Sequence, residues 1–281
     1  MDYTVLVVVY CVKILFMSKK WALITGATSG IGLEFSKLLA ETHDLILVGR
    51  NELKLSQTKK DLFSKKSFRK DLQIQTIVSD LSDTKSAEFI FKECQNRSLE
   101  IEVLINNAGV GVFGEHVTLF NEDIIHMLNI NIISLTLLSK YFAYSMKQRR
   151  SGFILNVASL AAYQPVPWIS SYAASKSYVL NFSEALSKEL EDYNISVTCL
   201  SPGHTRTNFF KSAGIGDKET GFYRVNTRMS VEKVAKIGLN ALFRKRISVI
   251  PGIKNNILGN LNRCAPRFLV AKIAKFLTRN P

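Results

Sequence analysis

The sequence predicts an α/β fold, a doubly wound parallel sheet of about seven strands in a single domain. Three observations support this prediction. Short apolar runs alternate with longer amphipathic segments along the chain, as expected when helices join parallel strands. The apolar runs are nearly continuous, which is typical of strands buried on both faces. The 281 residues contain no Pro/Gly/Ser-rich or low-complexity tract that would separate two domains.

Each run has the length and composition of one element. The predicted strands are 21–25 (WALIT), 45–49 (LILVG), 74–78 (IQTIV), 103–106 (VLIN), 153–158 (FILNVA), 195–200 (ISVTCL) and 247–250 (ISVI). The predicted helices are roughly 30–42, 51–66, 84–98, 119–148, 170–192 and 231–244. Ligands of such sheets bind beyond the carboxyl ends of the strands, so the chemistry is expected there.

Both ends of the chain differ from the central domain, which we assign to residues 18–252. Residues 1–17 are apolar but fall short of the ~20 residues that span a bilayer. They form an N-terminal extension that either contacts a membrane or lies upstream of the true start of the protein. Residues 253–281 form a basic, amphipathic C-terminal tail.

The net charge of +14 is concentrated towards the C-terminus, because no acidic residue follows Glu232 while eleven Lys or Arg do, six of them in this tail. We find no nucleic-acid recognition motif, so a membrane surface is the expected anionic partner. One side of the last helix is apolar and carries Phe268, Leu269, Ile273, Phe276 and Leu277. The alternative is that this helix packs on its own domain. The expected location is the cytoplasm, with peripheral membrane contact.

The four cysteines show no metal-ligand or disulfide spacing. They are far apart and form no CxxC pair, which argues against a zinc site and fits a reducing compartment. They are Cys11, Cys94, Cys199 and Cys264.

Tyr172 and Lys176 stand four residues apart in SSYAASK, within a predicted helix. Positions i and i+4 lie about 5–6 Å apart on one face. The ammonium group is therefore expected to lower the pKa of the phenol from its usual value of about 10, which would let it exchange a proton near neutral pH. On these two residues alone, an ordinary Tyr–Lys pair on a solvated face remains the alternative.

A glycine-rich turn, TGATSGIG at residues 25–32, joins the first strand to the first helix. Glycines permit a tight turn and a close approach of the backbone to a pyrophosphate at the helix N-terminus. The spacing is GxxxGxG, which differs from the GxGxxG of many dinucleotide-binding folds. Its place between strand and helix predicts a dinucleotide site.

Three motifs together resemble those of the short-chain dehydrogenase/reductase family: TGxxxGIG at 25–32, NNAG at 106–109 and YxxxK at 172–176. The resemblance covers residues 19–252. The resemblance implies a Rossmann-type fold and NAD(P)-dependent oxidoreductase activity without a metal. The catalytic residues that it implies are Asn131, Ser159, Tyr172 and Lys176. The cofactor-binding residues that it implies are Gly26, Thr28, Ser29, Gly30, Ile31, Gly32, Arg50, Asp80, Leu81, Asn107, Ala108, Gly109, Tyr172, Lys176, Pro202, Gly203, Thr205 and Thr207.

In the mechanism implied by the family, hydride moves between nicotinamide and a carbonyl carbon. Ser159 and Tyr172 would hydrogen-bond the carbonyl oxygen, and Tyr172 would deliver the proton. Lys176 would stabilise the phenolate and bind the nicotinamide ribose, and Asn131 would hold a water that resupplies protons. The family also implies a homodimer or homotetramer through helices 119–148 and 170–192.

The expected substrate is hydrophobic and lipid-, steroid- or ketoacyl-like. The resemblance implies a substrate lid at about 204–229, which contains four aromatic residues: Phe209, Phe210, Phe222 and Tyr223. Three apolar residues lie near the motifs: Phe113, Val166 and Trp168. These suggest an apolar pocket. His204 and Arg206 are the candidates for binding a substrate carboxylate, but both are interpreted as loop surface.

NADP(H) is the expected cofactor because Arg50 directly follows the second strand. An acidic residue there would select NAD, whereas a guanidinium suits a 2′-phosphate. Asp44 lies at the wrong end of the strand, and Glu52 is expected in the first turn of the next helix. NAD(H) use remains an alternative because Thr28 and Ser29 stand where many NADP-using relatives carry a basic residue.

Three functions of other classes are alternatives. A non-catalytic NADP(H)-binding sensor of the same fold would be expected to lack Ser159, Tyr172 or Lys176. An extended-type epimerase or dehydratase would need a large substrate domain. A nucleic-acid binder would need a basic face beside a groove-reading element. An NAD-preferring alcohol dehydrogenase is the nearest alternative within the family.

Overall fold

Seven parallel strands form one sheet in the order β3-β2-β1-β4-β5-β6-β7. The computed structural model describes residues 20–64, 69–205, 229–264 and 266–278. The strands are β1 (Trp21–Thr25), β2 (Asp44–Gly49), β3 (Ile74–Val78), β4 (Ile101–Asn106), β5 (Gly152–Val157), β6 (Ile195–Leu200) and β7 (Ser248–Val249). The doubly wound parallel sheet predicted from the sequence is therefore confirmed.

Helices connect the strands and cover both faces of the sheet. The described helices are α1 (Gly30–Leu39), α2 (Glu52–Phe63), α3 (Ser86–Asn96), α4 (Asn121–Leu128), α5 (Leu135–Arg149), α6 (Ser170–Leu190), α7 (Val231–Phe243), α8 (Ile253–Cys264) and α9 (Arg267–Thr278). Single 3₁₀ turns lie at His116–Thr118, Leu160–Tyr163 and Glu191–Tyr193. The predicted helix 119–148 is interrupted, because a π-helical segment, Asn129–Ser134, separates α4 from α5.

The two faces of the sheet carry separate hydrophobic cores. Phe35 of α1, Leu55 of α2 and Leu242 of α7 are buried in the first core. Ile90 of α3 and Phe142 of α5 are buried in the second. The strands contribute to both cores, which explains their nearly continuous apolar sequences.

The helical stretch Asn121–Arg149 is long and apolar enough to cross a membrane by composition alone. Its Leu138, Phe142 and Met146 are buried against the sheet, as in the core helix of a globular domain.

The strand order reverses beside β1, which pairs with β2 on one side and with β4 on the other. The connections that leave β1 and β4 run to opposite faces of the sheet, so a crevice opens between the carboxyl ends of these two strands. This crevice is where the sequence predicted the chemistry.

Several predictions concern residues outside the described ranges. These are the apolar extension 1–17, most of the proposed lid at 204–229, and its four aromatic residues. The division of the chain into extension, domain and tail stays a prediction. Within the described part, an isolated bridge between Thr205 and Met229 joins the two ends of the lid region.

Candidate active site

A cavity of about 620 Å³ follows the carboxyl ends of the strands. One end is lined by Arg50 and Lys54 and the other by Tyr172 and Lys176. Between them, the cavity passes the glycine-rich turn after β1 and the segment after β4. It is lined by the cofactor residues predicted from the sequence that fall in the described ranges, except Gly32.

The glycine-rich turn is too tight for side chains at two positions. Gly26 has a φ of +65°, in the left-handed region that favours glycine. A Cβ atom on Gly32 would lie 2.3 Å from the Gly26 carbonyl oxygen. Gly32 is therefore required for closure of the turn.

Asn107 ties this turn to the end of β4. Its side-chain Nδ2 donates to the Thr25 carbonyl oxygen at 2.9 Å, and its backbone N–H donates to Thr25 Oγ1 at 3.0 Å. Ala108 N–H donates to the same hydroxyl at 3.0 Å. Asn107, Ala108 and Gly109 line the cavity, whereas Asn106 of the NNAG motif points into the core and is buried.

The first turn of α1 faces the middle of the cavity. Thr28, Ser29, Gly30 and Ile31 line it, and the Ser29 side chain makes no capping hydrogen bond. Ser29 Oγ therefore accepts no hydrogen bond from the first backbone N–H groups of α1. Such a helix N-terminus binds phosphate through its amides and its dipole.

Two cations mark the end of the cavity near β2. Arg50 directly follows this strand, and Lys54 lies one turn into α2. Asn51 caps the helix by accepting a hydrogen bond from Lys54 N–H at 2.9 Å, and Glu52 lies in its first turn, as predicted. The sequence reading missed Lys54, although its position four residues after Arg50 was the available signal.

Asp80 lines the same end of the cavity and shapes the loop after β3. Its Oδ1 accepts hydrogen bonds from the backbone N–H and the hydroxyl of Ser82, both at 2.9 Å. The backbone hydrogen bond is the main reason why the pKa of this carboxyl lies below its usual value. Asp80 is not the cap of the next helix, because α3 begins at Ser86 and its N-cap is Lys85.

The other end of the cavity, here called the reactive end, brings together Tyr172, Lys176 and Ser159. Ser159 follows β5 and hydrogen-bonds the Tyr172 phenol, and its Oγ also accepts from Ala161 N–H at 3.1 Å. Lys176 Nζ donates to the Val157 carbonyl oxygen at 2.9 Å and lies 5.9 Å from the centroid of the Tyr172 ring. The i, i+4 spacing on α6 thus places both side chains at one site.

The pKa shift predicted for Tyr172 is wrong for the protein alone. Burial raises the pKa of Tyr172 to about 12, and the hydrogen bond from Ser159 offsets only part of this effect. Burial also lowers the pKa of Lys176 to about 8. Desolvation outweighs the attraction between ammonium and phenolate because both groups sit in a site with little water.

Asn131 lies in the π-helical segment and hydrogen-bonds two neighbouring segments at the reactive end. Its Nδ2 donates to the Val110 carbonyl oxygen at 2.9 Å and to Ser175 Oγ at 3.1 Å. Its Oδ1 accepts from Val110 N–H at 3.0 Å. The side chain thus joins the segment after β4 to α6, and its predicted role in holding a water stays a prediction.

Gly109 fits closely against the same groups. A Cβ atom there would lie 3.2 Å from Lys176 Nζ and 3.3 Å from Asn131 Oδ1. The absence of a side chain lets the cavity floor approach both residues.

Apolar residues pack beside the phenol. Phe113 and Tyr172 pack against a buried cluster that includes Val166, Ile169 and Ala173.

Trp168 lies next to this cluster and has a left-handed backbone, with a φ of 64°. Its carbonyl oxygen accepts a hydrogen bond from Gly114 N–H at 2.8 Å, which joins the two loops beside the phenol.

The loop after β6 closes the cavity. Pro202, Gly203 and Thr205 line it as predicted. His204 also lines it and is buried, so its interpretation as loop surface is wrong. Arg206 and Thr207 lie outside the described residues.

The cavity fits an elongated cofactor with a phosphate in its middle. Two cations stand at one end, a tight glycine turn opens a helix at the centre, and an acid/base pair with an apolar neighbourhood stands at the other. A dinucleotide has this sequence of groups.

Comparisons with known proteins agree with this geometry. The family model for short chain dehydrogenases matches residues 20–218. Hydroxysteroid dehydrogenase-like protein 1 of Gallus gallus is 29% identical over 264 residues, which cover 92% of this chain and 76% of that protein. A very-long-chain 3-oxoacyl-CoA reductase of Pyrenophora tritici-repentis is 30% identical over 183 residues, 64% of this chain, and the match spans about half of that protein (53%). The solved structure of a short-chain dehydrogenase from Sphingobium yanoikuyae in complex with NADPH has a TM-score of 0.77 and 27% identity, and the match covers 89% of this chain and 94% of that one.

Proposed function

The chain belongs to the short-chain dehydrogenase/reductase family of oxidoreductases, and we propose that it transfers hydride between NADP(H) and the carbonyl or secondary alcohol of a hydrophobic substrate. One observation carries this proposal. Ser159, Tyr172 and Lys176 meet at one end of a cavity whose other end carries Arg50 and Lys54. Nicotinamide, when bound, supplies or accepts the hydride.

Ser159 and Tyr172 bind the substrate oxygen in this proposal. Their hydroxyl groups already hydrogen-bond each other, so an oxygen beside both receives two donors as negative charge develops on it. In reduction, the Tyr172 O–H gives its proton to that oxygen. A pKa of about 12 keeps the phenol protonated at neutral pH, as a proton donor requires.

Lys176 supports this proton transfer from the buried side of the phenol. Its hydrogen bond to the Val157 carbonyl oxygen fixes the ammonium group beneath the cavity. A cation there stabilises the phenolate left after the proton has gone. Asn131 acts as a positioning residue, because its three hydrogen bonds fix Val110 and Ser175 around this pair.

Arg50 and Lys54 favour NADP(H) over NAD(H). Both lie on the cavity rim where an adenosine ribose would lie, and Glu52 beside them belongs to the first turn of α2. A 2′-phosphate would gain charge-assisted hydrogen bonds from the two cations. The NADPH-bound structure that resembles this chain supports the same choice. NAD(H) is expected to bind more weakly.

An apolar substrate suits the reactive end. The Tyr172 ring packs against a buried apolar cluster that includes Val166 and Ile169. Lys176 serves the phenol in this proposal, and the described residues that line this end include no other Lys or Arg that would bind a substrate carboxylate. The names of the two relatives, a hydroxysteroid dehydrogenase-like protein and a very-long-chain 3-oxoacyl-CoA reductase, support steroid-like and ketoacyl-like candidates.

Turnover assays test the proposal directly. Purified protein is titrated with NADPH by fluorescence and then assayed with a 3-oxoacyl-CoA, a ketosteroid and a bulky aromatic ketone, with products identified by mass spectrometry. Reduction of at least one apolar ketone is expected. NADPH binding without turnover of any ketone or alcohol would favour the sensor function instead.

Tyr172→Phe is the matched variant for the proposed acid. It should keep the fold and NADPH binding while it removes nearly all turnover, because only the donated proton is lost. Lys176→Ala should weaken both cofactor binding and the rate. A Tyr172→Phe enzyme with more than about a tenth of the activity, a loss of under ~1.4 kcal/mol in the barrier, would show that another group donates the proton.

A further inference from the structure

Helix α8 presents its large apolar side chains to solvent. Ile253, Ile257 and Leu261 are 81%, 60% and 61% exposed, and their i, i+4, i+8 spacing forms one stripe. Between residues 253 and 261, where the side chains of this helix are described, the buried positions are Asn255 and Gly259. The polarity of α8 is therefore inverted relative to a helix that packs on its own core.

Helix α9 repeats this inversion. Phe268 and Phe276 are 77% and 83% exposed, and Leu269 and Ile273 are exposed beside them. The buried side carries the smaller residues Val270, Ala274 and Thr278. The helix therefore packs against the rest of the chain, as the alternative reading of the sequence expected, but through the side opposite its large apolar residues.

Positive charge surrounds both stripes. Lys254 of α8 and Lys272 and Lys275 of α9 are exposed and form no ion pair with the described residues. The sequence has no acidic residue after Glu232. The two helices thus combine unpartnered apolar side chains with unneutralised lysines.

We propose that α8 and α9 dock the protein on the surface of an anionic phospholipid bilayer. The apolar stripes would enter the boundary between headgroups and acyl chains, and the lysines would contact the anionic headgroups. A second copy of the chain is a poorer occupant, because two surfaces with the same positive charge repel each other. This surface lies outside the cavity, so docking and catalysis are separate properties.

Vesicle flotation with the full chain tests this proposal. One set of vesicles contains phosphatidylcholine alone, and the other also contains phosphatidylserine. The protein should float with the anionic vesicles, remain mostly free with the neutral ones, and dissociate as salt is raised. Equal recovery in the free fraction with both sets would overturn the proposal, and so would equal binding to both.

Two pairs of variants test the surface itself. Binding to anionic vesicles is expected to weaken by more than about tenfold in each of two double variants. One is Phe268→Ser with Phe276→Ser, and the other is Lys272→Glu with Lys275→Glu. Two double variants are the controls, because they make the same kinds of change at exposed residues elsewhere and should bind like the natural chain. The apolar control is Leu53→Ser with Phe63→Ser, and the charge control is Lys60→Glu with Lys140→Glu.

Light scattering and turnover complete the test. The α9 variants should keep the oligomeric state, the circular dichroism spectrum and the ketone reductase rate of the natural chain in solution. Variants that bind vesicles normally but change the oligomeric state would show that the two helices form a contact between copies, and the membrane proposal would fall.

Discussion

Burial of Lys176 makes the stability of this fold depend on pH. Burial lowers the pKa of this ammonium group to about 8, from an ordinary value near 10.4. Below pH 8 the group is charged in both the folded and unfolded states, so the cost of burying the charge is fully present. Between pH 8 and 10.4 the unfolded state binds more protons, and this contribution to stability rises with pH.

Lys176→Met should therefore stabilise the fold at neutral pH. The difference of about 2.4 pKa units corresponds to about 3 kcal/mol, from which about 1 kcal/mol is lost with the hydrogen bond to Val157. The free energy of unfolding in urea should exceed that of the natural chain by about 2 kcal/mol at pH 7, and the gap should close by about pH 10.

Three other buried groups make the stability fall as pH rises, but their effect is the same in both chains and cancels in the difference. Burial raises the pKa of Cys94, Cys199 and Tyr172 to about 12, so the unfolded state loses these protons first and stability falls as pH rises above the ordinary values. Both chains share these three groups. A difference between the two chains that stays constant from pH 7 to 10 would contradict the low pKa of Lys176.

Arg50 determines cofactor preference in the proposed function. Arg50→Asp should reverse the preference for NADPH over NADH, because a carboxylate repels a 2′-phosphate and accepts hydrogen bonds from a ribose. An exposed charge-assisted contact is worth ~1.5–3 kcal/mol, or roughly tenfold to hundredfold in specificity constant. Lys60→Asp is the control, since Lys60 lies on α2, the helix that follows Arg50, but does not line the cavity. Equal specificity constants for NADH and NADPH in the natural chain would remove Arg50 from this role.

At the scale of elements, a buried polar chain joins two strands to two helices behind the site. Asn106 Nδ2 of β4 donates to Ser139 Oγ of α5 at 3.0 Å and to Asn156 Oδ1 of β5 at 2.9 Å. Asn156 Nδ2 donates in turn to Ser183 Oγ of α6 at 2.9 Å. All four residues are buried, so each bond compensates a polar group that has left water.

Asn156→Ala should destabilise the fold, because it removes one hydrogen-bond acceptor of the buried Asn106 amide and the only side-chain donor to the buried Ser183 hydroxyl among the described residues. The expected loss is about 2–3 kcal/mol in the free energy of unfolding. Asn181→Ala is the control, since Asn181 lies exposed on α6 and donates only to the Ser177 carbonyl oxygen. Its loss should stay below about 0.5 kcal/mol. Equal losses in urea denaturation would show that the buried chain adds little stability.

The elements themselves were largely predictable from the sequence. The strands β1 and β6 begin and end where their apolar runs do, because strands buried on both faces are mostly apolar. β3 also has its predicted bounds, although it is an edge strand that is only partly buried. The interruption at Asn129–Ser134 was not predicted, since a π turn leaves the periodicity of a helix almost unchanged. The inward side of α9 was also not predicted, because its exposed apolar stripe is larger than its buried one.

Within the site, sequence reasoning placed residues but not their electrostatics. Motif spacing brought Ser159, Tyr172 and Lys176 together, since parallel strands deliver their carboxyl ends to one edge. The pKa of Tyr172 was predicted in the wrong direction, because a neighbouring charge is visible in a sequence and the loss of water is not. His204 was misplaced for the same reason, as its burial depends on the whole fold.

At the scale of the whole molecule, several apolar side chains on α4 and α6 and on the segments beside them remain exposed. Ile125 of α4, Ile133 of the π-helical segment, and Tyr144 of α5 and Tyr178 of α6 are the large examples. The elements α4, α6 and the π-helical segment are in contact with one another, and exposed apolar groups on neighbouring elements suit a contact with another protein surface. The homodimer or homotetramer predicted through helices 119–148 and 170–192 would cover these residues.

Light scattering of the purified chain should therefore give a mass of two or four times 31.6 kDa. Ile125→Glu with Tyr144→Glu should shift this mass towards the monomer, because a symmetric interface brings each new carboxylate close to its own copy or to another apolar group. Leu53→Glu with Phe63→Glu, which places the same charges on exposed positions of α2, should leave the mass unchanged. NADPH binding should survive in both variants, since none of these four residues lines the cavity. A natural chain that is monomeric at micromolar concentration would contradict the prediction, and the exposed side chains of α4 to α6 would then need another partner.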